Sequence, residues 1–373
     1  MTREMTTREL PSALRPVPWV EQMAPYEAPD DVGEIAERAG VALSDLVKLD
    51  ANENPYGPSP RVAQALADFS GYQLYPDPDQ RALRQLTAAY AGVDASQVIL
   101  GNGSDEIIDL LCRIYLAPGD EVIDNTPTFG MYRFSTALCG GRVVEAPRDD
   151  NWWVDAAAVE RAISARTRII FVATPNNPSG NLEGERTVRA LLDTGRIVVL
   201  DEAYLEFAGA PSFARLVADH DNLVVLRTFS KWSGLAGLRV GYGVLPQHML
   251  THLWKVKPPF NVNLAAEVAV RATLADPAHT RRAVAALRDE RERMIGALSD
   301  VDGIHAWPSS SNFVLLRVAA PGAASLKAFL ASRGIAIRAY SHPRLQDCVR
   351  ISVGRPSDTD AVLAALWTWR ELG

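Results

Sequence analysis

Between about residue 60 and residue 250 the chain alternates short apolar runs with longer stretches whose apolar positions recur at helical spacing. The runs read QVILG, DEVIDN, GRVVEAP, RIIFVATP, RIVVLDEA, NLVVLRTFS and LRVGYGVL. Several are unbroken Val, Ile and Leu, the mark of strands covered on both faces, and their alternation with helices predicts a mainly parallel sheet wrapped by helices. After Asn263 the pattern becomes a long helix over HTRRAVAALRDERERMIGALSD, then SNFVLLRV as a strand, AASLKAFLASRG as a helix, and GIAIRAY and CVRISVG as short strands. This sparser alternation reads as a smaller α+β unit completed by the N-terminal segment. The expected division is an N-terminal arm and part of the small domain over residues 1–55, a large domain over 56–263 and a C-terminal small domain over 264–373.

Composition narrows the partners. A formal net charge of -7 over 373 residues offers no basic footprint for nucleic acid, so any anion site must be a local cluster, and small ligands are expected. Cys112, Cys139 and Cys348 cannot all pair and lack metal-ligand spacing, which fits a reducing compartment. The first twenty residues carry charges and three prolines where a signal peptide needs an apolar run, and no uncharged stretch is long enough to span a bilayer. A cytoplasmic location with no membrane partner is expected. His248 and His252 have the spacing of a helical metal pair without a third ligand, so no metal is expected either.

In open parallel sheets, ligands gather outside the carboxyl ends of the strands. Four such ends carry chemistry: GNGSDE follows QVIL, TPNNPSG follows RIIFVA, DEAY follows RIVVL and TFSK follows NLVVLR. In the first, two glycines precede Ser104 and Asp105 at the opening of a helix, where free N–H groups and the positive end of the dipole suit a phosphate. Alone, the same residues make an ordinary glycine turn with a Ser/Asp N-cap. The dinucleotide fingerprint is not met, because Glu106 stands where its third glycine belongs. Asp201 closes a wholly apolar strand, and a carboxylate buried there requires a cationic or hydrogen-bonding partner. A protonated ring nitrogen would serve; so would a helix cap or a satisfied core arrangement. Glu202 is expected to point away.

Lys231 sits in TFSKWSGLAGLRVGYG, at the end of a buried strand and near Arg239. Desolvation and neighbouring cations would enlarge its neutral fraction, the form that attacks an aldehyde. Thr228 and Ser230 supply hydroxyls, Gly234 and Gly237 are read as points of close backbone approach, and Arg239 supplies a planar fork for a phosphate. A single lysine is ordinarily a surface residue, and only this conjunction points to chemistry.

Together, TFSKWSGLAGLRVGYG, TPNNPSG, DEAYLEF, GNGSDE and LDANENPYGPSP resemble the motifs of the fold-type I, pyridoxal-phosphate-dependent aminotransferases, and among these most closely the histidinol-phosphate aminotransferases. The resemblance runs from about Tyr26 to Arg350. It implies an α/β fold with a mainly parallel seven-stranded sheet flanked by helices, a smaller α+β domain, and pyridoxal 5'-phosphate as cofactor. It further implies that Lys231 binds the cofactor aldehyde and moves the substrate proton, that Asp201 pairs with the ring nitrogen, that Asn177 and Tyr204 bond the ring oxygen, and that Phe129 stacks on the ring. Gly103, Ser104, Asp105, Thr228, Ser230 and Arg239 match phosphate-cup positions, and Tyr56 matches a tyrosine that reaches the phosphate in the neighbouring subunit of a homodimer. Arg350 matches an arginine that grips a substrate carboxylate and Arg338 a second anion-binding arginine, while Tyr26 and Asn54 join the substrate-binding set.

The implied reaction is a ping-pong transamination between L-histidinol phosphate and 2-oxoglutarate, giving imidazole acetol phosphate and glutamate, in histidine biosynthesis. Phe129 stands where relatives often have tyrosine, which keeps the ring stack and removes a hydroxyl. Trp232 and Ser233 replace the commoner alanine and aromatic, which bears on the pocket wall. Aromatic amino acid transamination and threonine-phosphate decarboxylation share the cofactor frame and stay open. A cofactor-binding sensor without turnover is the reading from another class; the segment before Tyr26 is too short for the DNA-binding domain it would need.

Overall fold

The computed structural model describes residues 12–28 and 30–372, so the part of the expectation drawn from the first twenty residues that falls on residues 1–11 lies outside the described residues. Strand β1 (Val47–Lys48) belongs with the C-terminal part of the chain. The main sheet holds β2 (Val98–Gly101), β3 (Glu121–Asp124), β4 (Arg142–Glu145), β5 (Thr167–Ala173), β6 (Ile197–Asp201), β7 (Leu223–Thr228) and β8 (Gly241–Val244). Their order is β2-β8-β7-β6-β5-β3-β4, seven strands as expected. Every pairing is parallel except those of β8, which runs antiparallel to both β2 and β7.

The unbroken apolar runs have a direct structural cause. Leu100, Val172, Val198 and Val225 join one apolar cluster, and Ile99, Phe171, Val199 and Val224 join a second. Successive residues thus point to opposite faces, as the two-residue strand period requires, and both faces are covered by helices. Each large side chain buried in this way contributes about 1.5–3 kcal/mol relative to exposure. The edge strand β4 has solvent-facing ends, in keeping with its place in the order.

The later strands are β9 (Ile304–Ala306), β10 (Phe313–Val318), β11 (Ile335–Ala336), β12 (Arg338–Ala339) and β13 (Cys348–Ser352). Four of them form an antiparallel sheet in the order β12-β13-β10-β9, while β11 pairs in parallel with β1. The chain therefore returns to its own N-terminal segment here, and the long helix Pro277–Ser299 leads into this unit. GIAIRAY, expected as one strand, is split into β11 and β12, which serve different sheets.

The loops that leave β3 and β5 are clamped by one buried ion pair. Arg148 donates to Glu183 Oε1 at 2.7 Å, and also to the carbonyls of Asn125, Trp152 and Ala173. The two side chains are 0% and 1% exposed. Replacing Glu183 by Ala leaves a buried guanidinium without its counter-charge and is expected to cost about 3–5 kcal/mol in urea unfolding. A loss below about 1 kcal/mol, the size of an ordinary surface change, would contradict the clamp.

Candidate active site

A cavity of about 780 Å³ opens at the C-terminal ends of β3, β6 and β7 and beneath the loop that follows β5. Its wall includes Asp124, Asn177, Asp201, Thr228, Lys231 and Arg239 from the large sheet's loops, and Arg338 and Arg350 from the smaller one. The segment around Tyr26 and residues 50–52 complete it.

Asp201 is the last residue of β6 and is buried. Its Oδ1 accepts the Ala203 N–H at 3.1 Å and its Oδ2 accepts the Tyr132 hydroxyl at 2.8 Å. Burial raises its pKa to about 6, against the pull of these two donors. Glu202 faces away, accepting from Ser212 Oγ and the Phe213 N–H. Lys231 lies just past the end of β7, and its Nζ donates to the Ala51 carbonyl at 2.9 Å. Burial, followed by the nearby Arg350 charge, lowers its pKa to about 8. Both shifts favour the neutral form.

The anion-binding features lie at two separate places. At one, the helix Ser104–Tyr115 begins after Gly103 with no side chain capping it, and Ser104 and Asp105 line the cavity. Arg239 reaches this helix end, donating to Asp105 Oδ2 at 3.0 Å and to Ser230 Oγ at 3.4 Å. Thr228 Oγ1 accepts the Ser230 N–H at 3.0 Å, which turns the chain beneath that arginine. Gly103 has a φ of 79°, and a Cβ there would lie 2.7 Å from Arg239 Nη2. At the other place, Arg350 on β13 donates to Asn177 Oδ1 at 2.6 Å and to the Asp50 carbonyl at 2.5 Å, while its buried Nε has no partner. Tyr204 is held by Asn52, whose Nδ2 donates to the tyrosine oxygen at 3.0 Å.

Most of the residues singled out from the sequence therefore meet in one cavity. Phe129 and Tyr26 also line it. Arg338 lines it too, with its guanidinium donating to the carbonyls of Ala28 and Glu27 at 2.6 and 2.7 Å. Asn54 and Tyr56 stand outside the wall: Asn54 donates to the Trp232 carbonyl at 2.9 Å, and the Tyr56 ring lies under the Arg355 guanidinium at 5.8 Å. Of the two glycines read as close-approach points, Gly234 qualifies, since a Cβ there would lie 2.5 Å from the Gly57 backbone. Gly237 does not, having nothing within 4 Å of a built Cβ. Gly241 takes that role, because a Cβ there would meet the Ser104 nitrogen at 2.5 Å, at the helix end itself. Tyr132, Asn52 and the carbonyls of Asp50 and Ala51 are the residues that sequence reasoning missed. Tyr132 lies three positions after Phe129 in TPTFGMY, which was its one local signal.

The family model described as Aminotransferase class I and II matches residues 44–366. A histidinol-phosphate aminotransferase of Roseiflexus castenholzii is 47% identical over 358 residues, covering 94% of this chain and 96% of that protein. One of Dehalococcoides mccartyi is 43% identical over 321 residues, covering 86% and 89%. A crystal structure of histidinol-phosphate aminotransferase from Sinorhizobium meliloti in complex with pyridoxal-5'-phosphate is similar with a TM-score of 0.86 at 26% identity, over 96% of this chain and 99% of that one. With the fold, the cavity and these relatives in agreement, the chain belongs to the class I and II aminotransferase family.

Proposed function

We propose that the chain is a pyridoxal-phosphate-dependent transaminase that takes the amino group from L-histidinol phosphate and passes it to 2-oxoglutarate. The observation that carries the reaction type is the presence of Lys231 and Asp201 in the wall of one cavity, together with a helix N-terminus reached by Arg239 and with Arg350. The relatives named as histidinol-phosphate aminotransferases support the choice of donor.

The residues present fit the cofactor. Asp201 is a buried acid raised to about 6, which a cationic ring nitrogen would hold ionised. The uncapped helix end, with Ser230 and Arg239, suits its phosphate. Asn177 and Tyr204 would bond the ring oxygen and Phe129 would cover a ring face, and all three line the cavity. Bound there, pyridoxal phosphate supplies an aldehyde to receive the amino group and a ring that withdraws electrons from the donor's α-carbon.

The chain's own groups do the rest. Lys231 Nζ, partly neutral near pH 7 to 8, takes and returns the α-proton. Arg350, with Nε unspent, binds an anion at the substrate's far side. Histidinol phosphate presents a phosphate ester where glutamate presents its α-carboxylate, and a guanidinium fork accepts both in successive half-reactions. Residues of the segment from Trp19 to Glu27 form part of the cavity wall.

The active unit in this proposal is a homodimer in which Tyr56 reaches the partner's phosphate site. Two features support it: Tyr56 stands outside its own chain's cavity, and Tyr72, Leu74, Tyr75 and Phe260 are exposed large hydrophobics, with Tyr75 stacked on Phe260 at 4.4 Å. The same proposal places the chain in the cytoplasm, in keeping with three free cysteines. Among the described residues, no helix is long and apolar enough to cross a membrane.

Steady-state kcat/KM with 2-oxoglutarate as acceptor is expected to favour histidinol phosphate over phenylalanine by at least about tenfold. The opposite preference removes the donor assignment and leaves the cofactor assignment standing. The lysine is tested separately by the rate at which apoenzyme takes up pyridoxal phosphate. Only the neutral amine attacks, so the rate is expected to climb with pH and level off above about 8. A climb that continues past pH 10, as for an ordinary lysine, contradicts the lowered pKa of Lys231.

A further inference from the structure

Asp201 owes its position to a residue that does not itself line the cavity. Tyr132, in the first turn of the helix Met131–Leu138, is 0% exposed and donates its hydroxyl to Asp201 Oδ2 at 2.8 Å. Its ring is stacked on Phe171 of β5, centroids 4.7 Å apart and planes 1° from parallel, and meets Phe129 edge-on at 5.6 Å. The ring has no freedom to withdraw the hydroxyl. The other carboxylate oxygen is held by the Ala203 N–H. One donor thus fixes each oxygen from a different element, which sets the plane of the carboxylate while leaving lone pairs on both oxygens.

We propose that Tyr132 is the positioning residue of Asp201: its hydroxyl keeps the carboxylate ionised and turned to the cavity, ready for a cationic ring nitrogen. The proposal rests on the assignment of Asp201 to that nitrogen. A carboxylate this deeply buried is driven toward its neutral form, and the Tyr132 hydrogen bond is the largest influence opposing that drive. Tyr132 is itself held firmly protonated by burial and by the Asp201 charge, so it acts only as donor. Through its edge contact the same ring backs Phe129, so one buried tyrosine supports both the acid and the stacking face.

The test is a double-mutant cycle read by fluorescence titration of the apoenzyme with pyridoxal phosphate, a readout independent of turnover. Tyr132→Phe keeps the stacked ring and removes the hydroxyl, and is expected to raise the dissociation constant about tenfold. In an Asp201→Asn background the same change is expected to add less than about twofold, because its target is gone. Equal losses in the two backgrounds, or no loss in the first, overturn the proposal. Replacing Tyr132 by 3-fluorotyrosine, which restores a hydroxyl donor on the same ring, is expected to recover most of the affinity; a loss as large as that of Tyr132→Phe overturns it too. A cofactor analogue with C–H in place of the ring nitrogen separates this proposal from the reading beneath it. Wild-type protein that binds analogue and cofactor equally overturns the Asp201 assignment and the proposal with it. If wild-type protein discriminates and Tyr132→Phe weakens both compounds alike, only the role of Tyr132 is overturned.

Discussion

Lys231, half-buried just past the end of β7, and Asp201, buried at the end of the neighbouring β6, have no ion-pair partner among the described residues. Removing an ionisable group from water costs several kcal/mol unless a counter-charge or hydrogen bonds compensate. Here the compensation is partial: one carbonyl for Lys231, and one hydroxyl and one N–H for Asp201. The pKa of each is displaced toward neutrality, to about 8 and about 6. A fold that tolerates this holds a site ready for a ligand carrying an aldehyde and a basic ring nitrogen, because such a ligand relieves both burdens at once.

The rigidity needed to keep those groups in place comes from two quarters. The sheet buries β6 and β7 on both faces, so their ends cannot drift without disturbing two apolar clusters. The irregular segment Asp50–Asn52 then ties the two parts of the chain together. Within three consecutive residues, the Asp50 carbonyl accepts from Arg350, the Ala51 carbonyl accepts from Lys231, and the Asn52 amide donates to Tyr204. Asn52 adopts a φ of 55°, a left-handed conformation that asparagine tolerates better than most residues, and also exchanges hydrogen bonds with Ser352 of β13. Arg350, Lys231 and Tyr204 are thus referenced to one stretch of backbone. A displacement of this stretch would be felt at all three.

Much of this was legible in the residues because the relevant signals were local. Unbroken apolar runs marked β5, β6 and β7 as interior strands, and the polar residues immediately after them fell at the sheet's C-terminal edge, where the cavity lies. Glycine was read less well. Gly241 touches the helix end through a contact with a segment more than a hundred positions away, and nothing in its neighbourhood distinguishes it from Gly237, where a Cβ would meet open space. The carbonyls of Asp50 and Ala51 were invisible for a simpler reason, since a backbone acceptor carries no side-chain signature. Tyr132 and Asp201 are 69 positions apart, and only the packing of a helix against strand ends brings them together. The split of GIAIRAY between two sheets likewise depends on what lies beside each half, which periodicity does not record.

The claim on which the account depends is that Lys231 is the amine that captures the cofactor. Borohydride reduction of the holoenzyme freezes whatever bond the aldehyde has made to the protein, and peptide mass spectrometry then locates it. The account predicts a reduced cofactor adduct on the peptide carrying Lys231. An adduct on a different lysine, or none with the visible band still present, would contradict it.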